Sequence, residues 1–327
     1  LPRFREKFGS LPYMELRKPG LNGCAGQMVW DDGRFIRNVE ENLWDEEVRM
    51  KECDARGVDV QVISTVPAMF SYAAQGEHGL EVAKVLNDHI AAVCDRHPSR
   101  FVGLGTLPMQ SPKLAMRELD RCMGDLGLAG VQIGSHVGPL NLSDPALFEV
   151  FQAAENLGAA IFVHPWDMMG EARMPKYWLP WLVAMPAEVS LAISSMIFGG
   201  VFERLPELRC CFAHGGGSFP ATIGRIDQGY RARPDLCAVD NDKLPSSYLG
   251  RFFVDSLAYD PRAFRLVREV IGDHRICLGS DYPFPLGEEQ PGRLIEALEL
   301  EDSIKRRYFF ENALEWLGLS AAELQLS

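Results

Sequence analysis

Short apolar runs, rich in β-branched residues, recur along this chain and alternate with longer stretches of helical spacing. Seven of them read as strands: 59–66 (DVQVISTV), 100–107 (RFVGLGTL), 130–135 (GVQIGS), 160–164 (AIFVH), 208–214 (LRCCFAH), 252–256 (FFVDS) and 276–281 (ICLGSD). Their near-continuous hydrophobicity suits parallel strands covered on both faces, as in the staves of a barrel. Between the first two runs, Val82, Leu86, Ile90 and Val93 form a stripe at helical spacing. Three further helices are announced by a capping residue followed by proline, at Ser111-Pro112, Asp144-Pro145 and Asp260-Pro261. A helix over residues 45–56 precedes the first run, and residues 294–317 supply a closing helix.

The order is thus one helix and then seven strand–helix units. A parallel (β/α)8 barrel of the TIM type wants eight strands, and the first helix wants a strand before it. Strand one is therefore expected upstream of Leu1. On this reading residues 1–327 form a single barrel domain. Residues 1–44, rich in Gly, Pro and charge, are a long loop able to act as a lid, 45–317 the barrel body, and 318–327 a C-terminal tail. A doubly wound open sheet would want an early phosphate-binding glycine fingerprint, and Gly103-Leu104-Gly105 lacks its third glycine.

Composition narrows the partners. A net charge of −12 argues against nucleic acid, which needs a basic face, and means that an acidic small molecule would need local cations. No run is expected to approach the roughly eighteen apolar residues of a membrane span. The eight cysteines form no CxxC pair and read as reduced thiols, mostly in the core of a cytoplasmic protein.

In such a barrel the chemistry sits at the C-terminal ends of the strands. Those ends carry His164, His214, Asp255 and Asp281. Imidazoles and a carboxylate converging on one rim suit a borderline divalent metal such as Zn²⁺. Singly, each has a plainer reading: a core or loop histidine, or an aspartate that forms a turn. Equivalent placement in successive units is what favours the metal. His136 follows the third run and is a weaker candidate, and His89 is expected on the inward face of its helix. His214-Gly215-Gly216-Gly217 matches the oxyanion element of serine esterases, but no GxSxG nucleophile elbow accompanies it.

Several longer stretches go further. They are Leu43-Trp44-Asp45, TVPAMFSY at 65–72, GLGTLP at 103–108, GVQIG at 130–134, HPWDM at 164–168 with YWLPWLV at 177–183, AHGGG at 213–217 and GSDYPFPLGE at 279–288. Through them, over residues 42–317, the chain resembles the amidohydrolase superfamily in its metal-dependent decarboxylase branch.

The resemblance implies a zinc-dependent carboxy-lyase with one zinc per chain and no organic cofactor. Its substrate would be a small unsaturated semialdehyde acid of tryptophan breakdown. It makes His164 and Asp281 metal ligands and His214 the group that positions or deprotonates the metal-bound water; proton return at the neighbouring carbon is then expected to run through Asp281. It makes Arg37 and Arg225 the binders of the substrate's carboxylates, with Arg225 donated by the neighbouring subunit of a homodimer. Trp181, Met168 and Phe284 would wall the pocket. The branch's other two ligands form a His-x-His at the end of strand one. This chain has no His-x-His and its first histidine is His78, so those ligands are expected, with strand one, upstream of Leu1. Rival readings are a metal-dependent hydrolase of a carboxylated lactone or amide, and a metal-free, truncated binding paralogue.

Overall fold

The computed structural model describes residues 15–17, 25–29 and 35–324. Each of the seven apolar runs contains one strand: β1 Gln61–Ile63, β2 Phe101–Thr106, β3 Gly130–Gly134, β4 Ala160–His164, β5 Arg209–Phe212, β6 Phe253–Asp255 and β7 Ile276–Cys277. They pair in chain order and all in parallel, giving seven consecutive staves of a TIM-type barrel. Among the described residues no strand bridges the outer edges of β1 and β7.

Alternation along the staves sorts their side chains onto two sides. Val102, Leu104, Ala160, Cys211, Phe253 and Cys277 share one cluster, closed by Trp316, Leu317 and Leu324. Their neighbours Val131, Ile133, Ile161, Val163, Phe212 and Val254 pack instead against the helices. Those helices are α1 Glu46–Asp54, α2 Gly76–Arg96, α3 Pro112–Gly124, α4 Pro145–Leu157, α5 Met185–Phe198, α6 Phe219–Ala232 and α7 Pro261–Ile271. The caps of α4 and α7 form as expected: Asp144 accepts from Ala146 N, and Asp260 from Arg262 N and Ala263 N. Ser111 makes no such bond, so at α3 only the proline at the first turn marks the start.

Four expectations need correction. The closing helix over 294–317 is broken into Arg293–Glu296, Asp302–Arg306, Arg307–Glu311 and Asn312–Leu317. Leu298 and Leu300 still pack on the core through the break, so the apolar spacing hides it. The long loop over 1–44 contains, among its described residues, a three-stranded antiparallel sheet of Glu15–Arg17, Gly26–Val29 and Phe35–Val39. Its Met28 and Val39 are buried against Leu43, Val66, Ala68 and Met69, which seats it over the barrel rim; residues 1–14, 18–24 and 30–34 lie outside the described part. Pro180–Phe198 does reach the length and apolarity of a membrane span, with mean hydropathy 1.6, through its Ile, Val and Leu content. It is nevertheless the core helix of this unit, with Val189, Ala192, Ile193 and Met196 buried and the buried carboxylate of Glu188 within it. Finally, His89 is exposed: the buried face of α2 runs through Ala83, Asn87 and Ile90, leaving Val82 at its edge and His89 beyond it.

Candidate metal centre

Among the described residues, the non-glycine positions with positive φ are Ser71, Asp167, Tyr177, Trp178, His214, Tyr259 and Asp281. All lie in connections that leave the C-terminal ends of strands, so the strained backbone gathers where a barrel keeps its chemistry. Three side chains converge there. His164, the last residue of β4, His214, just after β5, and Asp281, in the connection after β7, each bring one donor atom to within 4.8 Å of the others. The two imidazole rings meet edge to face with centroids 5.0 Å apart.

The protonation states suit a cation. His164 Nδ1 donates to Pro165 O at 2.8 Å, because a carbonyl can only accept, which leaves the Nε2 lone pair free. Burial, reinforced by the neighbouring His214, lowers the His164 pKa to about 3, and burial lowers that of His214 to about 4. Both rings are therefore neutral at physiological pH, as a ligand or a base must be. Asp281 is pushed the other way, up to about 7, first by burial and then by the charge of Asp255, with Arg37 opposing. Two neutral imidazoles beside a buried carboxylate with too little positive charge around it form a donor set that fits a divalent cation.

A consequence follows for metal uptake. Below pH 7 a metal must displace the Asp281 proton, whereas the histidines compete only far lower. The metal-free protein should lose affinity by about tenfold per pH unit below about 7 and level off above it. Competition titrations with a chelator at pH 6 and pH 8 check this, and equal affinities would contradict it.

Arg37 reaches the same rim from the small sheet. Its guanidinium lies over the Phe284 ring, 4.8 Å from the centroid; burial lowers its pKa while Asp281 raises it. The loop carrying Asp281 and Phe284 is tied to α1, since Tyr282 Oη donates to Glu52 at 2.7 Å and Arg49 donates to Tyr282 O at 3.3 Å. Met168 is half-buried in the loop after His164. That loop is held by Glu188, which accepts from Met169 N at 2.7 Å, and by His136, whose Nε2 meets Trp166 O and Asp167 O at 3.1 and 3.2 Å. His136 thus anchors a loop and does not join the donor cluster. Trp181 stacks on Trp178 and lines a cavity of about 670 Å³ with Tyr177 and Lys176; no member of the donor cluster lines it. Arg225 stands exposed on α6.

Asp255, at the end of β6, is not a member of the cluster either. Both its oxygens accept backbone N–H groups, from His214 and Gly215 at 2.8 Å each and from Leu257 at 3.0 Å. Burial raises its pKa to about 6 against those bonds. Its position at a strand end was readable from the sequence, but its direction was not.

The amidohydrolase family model matches residues 26–319. The chain belongs to the amidohydrolase family. It is 53% identical over 97% of its length to 2-amino-3-carboxymuconate-6-semialdehyde decarboxylase of Dictyostelium discoideum, covering 88% of that protein. It is 37% identical to the Caenorhabditis elegans protein of the same name, over 98% of this chain and 91% of the relative. Among solved structures it shares its fold with 5-carboxyvanillate decarboxylase of Novosphingobium aromaticivorans, solved with manganese. That likeness has a TM-score of 0.76 and 24% identity, over 86% of this chain and 82% of the other.

Proposed function

We propose that this amidohydrolase-family protein is a zinc-dependent carboxy-lyase that removes carbon dioxide from 2-amino-3-carboxymuconate-6-semialdehyde. The observation that carries the reading is the near-full-length relationship, at 53% identity, to the Dictyostelium enzyme of that name. His164 and Asp281 would hold the metal, with His214 free to act on the substrate side; an imidazole nitrogen and a carboxylate oxygen as ligands suit zinc. When bound, the metal supplies a Lewis acid and a water whose pKa lies near 7.

The remaining work falls to side chains of this chain. Arg37 pairs with a substrate carboxylate through its guanidinium fork, supplying the local cation that a chain of net charge −12 otherwise lacks. His214, neutral at physiological pH, accepts a proton at the reacting centre. Asp281, ionised once it holds the metal, relays a proton back to the neighbouring carbon. Loss of carbon dioxide leaves its electron pair on carbon, and a proton takes its place, so no oxidant is consumed. Phe284 and Met168 form the apolar wall, and Trp181 lines a separate cavity.

The unit works as a homodimer in which Arg225 crosses to the partner's pocket and binds the second carboxylate. Its exposure on α6, with Leu182 and Val183 exposed just ahead of the neighbouring α5, supports a face that a second copy covers. Headspace carbon dioxide tests the reaction class: one molecule should be released per semialdehyde consumed. Rapid opening of a carboxylated lactone or amide, with no carbon dioxide from the semialdehyde, would favour a hydrolase instead.

A further inference from the structure

His214 holds an uncommon backbone for a residue with a side chain. Its φ is +58°, and Gly215 follows at +63°, so two successive N–H groups turn to the same side. The group they meet is the Asp255 carboxylate, Oδ2 accepting from His214 N and Oδ1 from Gly215 N, both at 2.8 Å. The carboxylate cannot swing away. Oδ1 also accepts from Leu257 N at 3.0 Å, and the residue is 6% exposed. On its other side the chain runs close enough that a Cβ on Gly279 would lie 2.8 Å from Asp255 Cβ. A left-handed non-glycine residue costs about 1–2 kcal/mol, so this turn needs an external hold.

We propose that Asp255 is the positioning residue for His214: its carboxylate clamps the 214–215 turn and thereby sets the imidazole against His164 and Asp281. This rests on the reading of His214 as the group that moves the proton. A carboxylate suits the task because it offers acceptors on both oxygens, whereas an asparagine would turn an N–H₂ toward one of the two backbone donors. The clamp works on geometry alone and needs no contact between Asp255 and substrate. Misplacement of a reacting group by about 1 Å is enough to cost 10²-fold in rate.

The test is Asp255→Asn, made in the native protein and in His214→Ala, with amide hydrogen exchange followed over residues 213–217. The expected result is faster exchange there, metal content unchanged, and kcat lowered by about 10–10²-fold with KM within about twofold. In the His214→Ala background the same change should lower kcat little further, since its route through the ring is gone and only the loss of the Asp255 charge beside Asp281 remains. A fall that multiplies with that of His214→Ala, or unchanged exchange, overturns the proposal. Should Asp255→Asn not fold, Gly279→Ala pushes the carboxylate without removing it and must give the same exchange and kcat pattern. If His214→Ala itself keeps full turnover, the proton-transfer reading fails, while the exchange data still decide whether Asp255 holds the turn.

Discussion

His164→Ala and Asp281→Ala should each lose the metal and with it all turnover, whereas His214→Ala should keep the metal and lose turnover by about 10²–10⁴-fold. All three donors lie within 4.8 Å of one another, so proximity alone does not separate their roles. The separation comes from their surroundings. Asp281 carries the charge a cation needs, in a buried site where that charge is poorly balanced, and His164 has one nitrogen committed to Pro165 O and the other free. His214 instead stands on a strained, clamped turn, the arrangement of a group that must meet a reacting atom. Elemental analysis beside kcat for the three variants checks this. Equal metal loss in all three would make His214 a ligand and take away its role as base.

The second large effect belongs to the two arginines. Arg37→Ala or Arg225→Ala should each raise KM strongly, because a substrate carboxylate loses its charge-assisted partner. Mixing the two variants and letting subunits exchange should then restore activity at substrate concentrations where neither alone turns over. In a mixed dimer the pocket on the Arg225→Ala chain keeps its own Arg37 and receives Arg225 from its partner, while the other pocket lacks both. Random pairing makes about half the dimers mixed, so roughly a quarter of all pockets become whole. Arginines that act within one chain restore nothing. Verified exchange without recovery would rule out the shared site.

Much of this was legible from apolar runs, because staves buried on both sides announce themselves by composition. All seven runs hold a strand, and the run 160–164 coincides with β4 from Ala160 to His164. The convergence of His164, His214 and Asp281 was readable for a related reason: polar residues at or just after strand C-terminal ends lie on one rim of a parallel barrel. What escaped were features set by contacts distant in sequence. Asp255 has the same strand-end position, yet its carboxylate is drawn to the backbone of His214 and Gly215, about forty residues away. His136 turned out to anchor the loop after His164, which depends on where Trp166 O and Asp167 O lie. The small sheet before residue 40 was hidden by glycine, proline and charge, and only the burial of Met28 and Val39 shows why it forms.

The claim at the centre, that one bound divalent metal drives decarboxylation, is tested most directly by titrating zinc into the metal-free full-length protein while following carbon dioxide release. Activity should rise from near zero and break sharply at about one zinc per chain. Full carbon dioxide release from metal-free protein, unchanged as zinc is added, would contradict it.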